Sequence, residues 1–401
     1  MSIVKQLGRT AMAAALLAGA TTLASAADFG ALVTNDSTFT GNKASELELD
    51  QKNTASAWLR IPFNNAGTTY FTVEGLYQFE RTPINISKDD DVGDAENQPL
   101  FDVDLAKFAA SAGAGAGTFS LALGRFSTSD LTGIIYNQNA DGALLSFESP
   151  VFALSLYGAY TGLLNARAVS MLGVDGVPEE EDTEKLYQLA TKYAIGSATL
   201  SLPHFAAGQT LSAQFLGTFR LEDEDFNRMY ATLALNGPLS TRLFYTLSST
   251  LGISSYADED KEYSNLSKAS LTLYTGVKGI TFTANGVYAS GEQGPFKSFT
   301  GFTSQTAVKA LSDRTEYTGL IKGGLGMSIK PFASVLLSGG CEAILTAMDT
   351  SIEYEGFQYQ AALGWQVVSD VSLSASIYQY YDKENSERDK TGINLYAAIS
   401  F

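Results

Sequence analysis

The stretch TTYFTVEGLYQFER, residues 68–81, alternates between two kinds of side chain. Phe71, Val73, Gly75, Tyr77 and Phe79 fall on one face, and Thr72, Glu74, Leu76, Gln78 and Glu80 on the other. A period of two sends successive side chains to opposite faces of a strand, so the segment reads as a strand with one apolar and one polar face. The same pattern returns further on. FQYQAALGWQV (357–367) carries the stripe Phe357, Tyr359, Ala361, Leu363, Trp365 and Val367, and VSLSASIYQYYDK (371–383) sets Val371, Leu373, Ala375 and Ile377 against serines. TGINLYAAISF (391–401) places Ile393, Leu395, Ala397, Ile399 and Phe401 opposite Asn394, Tyr396 and Ser400.

The connections between these runs alternate in length and chemistry. Short ones such as PFNNAGT (62–68), SAGAGAG (111–117) and NGPLS (236–240) take turns with long, mostly acidic ones. The long class includes TPINISKDDDVGDAENQ (82–98), NARAVSMLGVDGVPEEEDTE (165–184) and EQGPFKSFTGFTSQTAVKALSDR (292–314). Turns on one side and loops on the other characterise an all-β, antiparallel up-and-down transmembrane barrel with periplasmic turns and extracellular loops. Counted from ADFGALV (27–33), the pattern predicts about 18 strands, or about 16 if one hairpin is split wrongly. Both termini on the periplasmic side require an even number. A soluble sandwich fits poorly, because no linker or domain break interrupts the chain. A solenoid would repeat its motif positions at a fixed period, and no such period is found.

At the start, Lys5 and Arg9 precede the apolar run AMAAALLAGATTLA, and Ala24-Ser25-Ala26 has the form of a cleavage site. The expectation is a signal peptide over 1–26 and a single barrel domain over 27–401, exported to the bacterial outer membrane. The chain has 26 Lys and Arg against 43 Asp and Glu, a net charge of −17, and loss of the leader makes it more acidic still. Such a surface does not suit nucleic acid. The one cysteine, Cys341, excludes an internal disulfide. No apolar run reaches the roughly 18 residues that a membrane helix needs.

Enzymatic readings lack parts. The single histidine, His204, sits in the turn-like LPHFAAG (202–208). No G-x-S-x-G elbow, phosphate loop or Cys/His cluster occurs, so no cofactor or metal is expected. Strand phase instead directs charges to a wet lumen, since Arg or Lys facing lipid costs about 2–4 kcal/mol at the midplane. Arg60 shares a face with Trp58 and Ser56, Arg220 with Thr218 and Gln214, Arg228 with Tyr230, and Arg242 with Thr246. Glu74, Asp102, Asp104 and Glu148 take inward phase as well. Carboxylates on one wall and arginines on another would set a transverse field across the pore. Arg125 shares the apolar phase of Phe119, Leu121 and Leu123, so turning it inward requires the strand to end or bulge at Gly124.

The run from NTASAWLRIPF through TTYFTVEGLYQFER, FDVDLAKF, GTFSLALGRFSTSD and DGALLSFESPVFALSLYGAY resembles the first strands of bacterial general diffusion porins. In that family a strand ending in Gly-Arg leads into a third loop that folds into the pore, and a break such as Ser-Pro follows. Gly124-Arg125 and Ser149-Pro150 stand in those places. The resemblance implies an inward-folding loop near 125–142, with Asp130 and Asp141 as its pore acids. It also implies a homotrimer and a terminal Phe401 read by the barrel-assembly machinery. Membrane lipid and lipopolysaccharide are the other expected partners. The expected function is a water-filled channel for passive diffusion of ions and small hydrophilic solutes. A substrate-selective channel, with lumenal aromatics Trp58, Phe244, Tyr274, Tyr378 and Tyr380 as a solute path, is the second reading. A barrel-anchored adhesin or receptor is the third.

Overall fold

The computed structural model describes residues 27–42, 47–85, 97–173, 185, 187–222, 226–256, 261–277, 279–291, 295–305, 307–308, 317–348 and 351–401. The expected leader at 1–26 and most of the acidic loop residues lie outside the described residues. The chain forms β1 (Asp28–Asn42), β2 (Leu47–Pro62), β3 (Thr69–Asn85), β4 (Asn97–Ala114), β5 (Gly117–Ser129) and β6 (Asn137–Glu148). It continues through β7 (Ala153–Tyr160), β8 (Tyr193–Ala206), β9 (Gln209–Arg220), β10 (Phe226–Pro238), β11 (Leu243–Tyr256) and β12 (Glu262–Tyr274). It closes with β13 (Thr281–Ala289), β14 (Leu320–Phe332), β15 (Val335–Met348), β16 (Ser351–Val368), β17 (Val371–Asp382) and β18 (Lys390–Ser400).

Each strand pairs antiparallel with the next, and β1 pairs with both β2 and β18, giving one closed 18-stranded sheet. The count of sixteen is thereby discarded. Closure runs in register from Leu32 opposite Ser400 to Asn42 opposite Lys390. Ala31 and Phe401 exchange both backbone hydrogen bonds, at 3.2 and 2.9 Å. A barrel that leaves no edge satisfies its backbone groups within the sheet, which is the condition for sitting in hydrocarbon.

The alternation read from sequence is carried onto two surfaces. Phe215, Leu233 and Leu325 stand outward with 54%, 61% and 65% of their surface exposed. Inward neighbours on the same strands, Gln214, Thr232 and Gly324, are polar or small, and the first two are buried. The strand ends that border the long connections lie at one end of the barrel and the short turns at the other. At the short-turn end Phe119, Phe147 and Phe152 pack with ring centroids 4.6 and 5.4 Å apart, an aromatic group where a girdle belongs.

Burial is concentrated inside the barrel rather than between layers. L3 (130–136), L4 (161–192) and L7 (290–319) contribute Ile134, Ile135, Tyr136, Met171, Phe299 and Phe302 to a buried cluster with Tyr157, Tyr193, Leu216, Tyr230 and Leu266 from the wall. A second cluster sets Ala307 and Val308 of L7 on Leu320, Ile344, Tyr378 and Tyr380. Among the described residues, neither cluster draws a side chain from β1, β2, β3, β16 or β18. The described loop residues therefore pack against one side of the barrel.

Candidate permeation path

The β5–β6 hairpin builds the narrowing. β5 pairs with β4 only up to Arg125 opposite Ala106, and β6 pairs with β7 only up to Asp141 opposite Tyr160. Beyond those pairs β5 and β6 hold only each other, from Phe126 opposite Ala140 to Ser129 opposite Asn137. The free arm enters the lumen, where the Leu131 N–H donates to Gln214 of β9 at 2.9 Å. Lys268 of β12 donates to the Thr132 carbonyl at 2.9 Å, and Phe302 of L7 donates to the Ile135 carbonyl at 2.6 Å. The strands run further than the sequence suggested, so the loop proper is 130–136 rather than 125–142.

Asp130 organises the tip. Its buried carboxylate accepts from the Thr132 N–H and hydroxyl at 2.7 and 2.6 Å and from the Ile135 and Tyr136 N–H groups at 3.0 Å each. These are the bonds of a folded turn and not of a charge aimed at solute. Burial pushes the Tyr136 phenol above its ordinary value, so it stays neutral beside the Tyr157 hydroxyl at 3.3 Å.

Arg125, Asp141, Asp102 and Asp104 are brought together at the root of the arm. Arg125 is bidentate on Asp141 at 2.9 and 3.1 Å, donates to the carbonyls of Val103 and Leu163, and lies 3.6 Å from Asp102. The strand neither ends nor bulges at Gly124, as the phase argument required; pairing runs straight through it. Arg125 keeps its phase, and the hairpin moves instead, enclosing the guanidinium between β4, β6 and L4. Gly124 permits the bend with a φ of +109°. The bulge lies on β4, where Asp104 is the extra residue between the pairs Glu74–Leu105 and Gly75–Val103. Asp104 accepts from Asn139 at 2.6 Å, and beyond the bulge Leu105 and Lys107 take the inward phase.

The remaining predicted positions separate by height. Glu74 stands mid-strand opposite Trp58. Arg60, stacked 3.8 Å over the Tyr70 ring, lies toward the short-turn end, with Arg242 and Glu148 exposed at that rim. Arg220 is at the long-loop end opposite Tyr193. Arg228 is 1% exposed, between the rings of Phe226 and Phe302, and donates to the carbonyls of Leu172 in L4 and Gly301 in L7. Of the aromatics expected along a solute path, Tyr378 and Tyr380 are covered by L7, while Phe244 and Tyr274 stay exposed in edge-to-face contact at 5.6 Å.

Two residues of this arrangement were missed in the sequence. Lys268 and Lys322 both carry loops, Lys322 donating to the Ala307 carbonyl at 3.0 Å and standing 3.5 Å from Glu342. Their phase was readable, since Lys268 alternates with Ser270 and Thr272, and Lys322 with Gly324 and Ser328. What phase does not reveal is a partner on a distant loop.

No family model matches the chain, and no curated protein matches it by sequence. Its structure is similar to barrels of Pseudomonas aeruginosa. OccK2 (OpdF), in complex with glucuronate, is 14% identical with a TM-score of 0.61, over 94% of this chain and 98% of that one. OpdQ is 10% identical with a TM-score of 0.60, over 94% and 99%. OpdK with vanillate is 13% identical with a TM-score of 0.58, over 93% and 98%, and OpdK is described as an outer membrane protein. The resemblance to general diffusion porins thus holds at the level of the porin barrel, and the solved neighbours are Opd and Occ proteins. The chain has the closed, 18-stranded barrel fold of these outer-membrane proteins.

Proposed function

We propose that this protein is an outer-membrane channel that passes small hydrophilic solutes through a passage narrowed by its own loops. The reading favours a solute-selective channel over a wide general pore. In this reading the short turns face the periplasm, the acidic loops face outward, and the leader is removed on export. The observation that carries it is the arm 126–140, which leaves the wall on both sides and is fastened across the lumen to Gln214, Lys268 and Phe302. Support also comes from the neighbours, since OccK2 was solved with glucuronate and OpdK with vanillate, both small polar solutes.

A channel constricted in this way discriminates by chemistry as well as by size. Purified, heat-modifiable barrel in planar bilayers is expected to give small unitary current steps. Proteoliposomes are expected to swell at different rates in solutes of equal size and different charge. Absence of current from folded protein sinks the channel reading, and swelling rates that track size alone return it to a general pore.

A further inference from the structure

Resting on that reading, we infer that the passage is built for small cationic solutes, and that its selectivity comes from the acidic wall of β1–β4. The first part of the argument is where the cations are. Arg228 is buried under L4 and L7, with carbonyl oxygens on its guanidinium. Lys268 is engaged by the Thr132 carbonyl, and Lys322 by Glu342 and the Ala307 carbonyl. Arg125 is engaged by Asp141, Asp102 and two carbonyls. Of the expected arginine wall Arg228 is thus a fastening for the loops, and Arg125, Lys268 and Lys322 join it in that role. Their charged ends are held by backbone and carboxylate oxygens.

The second part is which wall the loops leave bare. Neither buried cluster reaches β1, β2 or β3 among the described residues. There the inward positions of the long-loop half include Asp36, Asp50, Glu80 and Asp102, with Glu74 below. Asp36, Lys52 and Glu80 stand in one row across three strands, so the one lysine faces a carboxylate on each side. Among the described residues, no cation comes within ion-pair distance of Asp36, Asp50, Glu74 or Glu80, which are held by amides where they are held at all. Asn394 donates to Asp36, and Gln78 to Glu80 at 2.8 Å. Arg60, facing Asp28 in register, and Lys107 lie nearer the short turns.

A passage with a carboxylate wall on one side, and with Arg125, Arg228, Lys268 and Lys322 engaged in holding loops on the other, concentrates positive solutes and repels negative ones. This sets the chain apart from the neighbours solved with glucuronate and vanillate, both of which carry carboxylates.

The test is the reversal potential of the full-length protein in a potassium chloride gradient, followed by titration with choline or with glucuronate. The expected result is several-fold preference for potassium over chloride, with saturable current block by choline and none by glucuronate. The double variant Asp50→Asn, Glu80→Gln is expected to bring the permeability ratio close to unity while leaving unitary steps in place. A conducting channel that prefers chloride, or whose preference survives the double variant, overturns this inference and leaves the channel itself standing. Folded protein that passes no current overturns both.

Discussion

Asp130 and Arg228 show why a charge inside a barrel need not be a pore charge. Strand phase placed Arg228 inward and the porin resemblance placed Asp130 in the pore, and both are engaged in holding loops in place. Asp130→Ala strips four acceptor contacts from a buried turn, at about 1–3 kcal/mol for each donor left unpaired. The expected outcome is a folded barrel with larger, noisier single-channel currents, read in planar bilayers. Arg228→Met removes the fork shared by L4 and L7 and leaves the carbonyls of Leu172 and Gly301 without that donor. Faster protease cleavage in L4 or L7 of intact barrels is the expected readout, with the melting behaviour of the barrel itself little changed. Arg228→Lys should not rescue it, since an ammonium lacks the planar fork that reaches two separate carbonyls. At this scale the sequence disclosed the face of a residue but not its partner. Arg228 and Gly301 are 73 positions apart, and no local pattern joins them.

Strands were the most legible elements, because period two, the turn residues and the alternation of long and short connections agree with one another. The β5–β6 hairpin was legible in outline only. Its inward course was implied by Gly124-Arg125, yet the detached arm and the bulge at Asp104 are set by pairing between strands, which periodicity within one strand cannot report. Gly124 is the element's weak point. A Cβ there would come within 2.1 Å of the Ala106 carbonyl oxygen, at a φ that L residues rarely adopt. Gly124→Ala is therefore expected to lower the yield of heat-modifiable, folded barrel, or to force β5 straight and widen the pore. Gly323→Ala is the control, since a Cβ there meets nothing within 4 Å and folding yield should hold.

For the whole molecule, the closed sheet separates an apolar exterior from an interior into which described residues of L3, L4 and L7 pack. Leu233, 61% exposed, belongs to the exterior. Leu233→Arg should destabilise the barrel in lipid by about 2–4 kcal/mol if it sits near the midplane, measured by reversible denaturant unfolding in bilayers. Gln78→Arg, on the inner face of β3, should cost far less. The architecture was recoverable from the chain because each face has one solvent. The shape of the lumen was not, because L7 meets L4 and the β5–β6 hairpin across more than a hundred residues, as Asn137 and Thr303 do. The central claim is that these loops leave one narrow, conducting passage. Its most direct test is the unitary conductance of the intact chain beside a variant in which residues 131–135 are replaced by a short glycine turn. Small steps that grow several-fold when the arm is shortened are the predicted result. Identical conductance in the two, or no current from the folded protein, would contradict it.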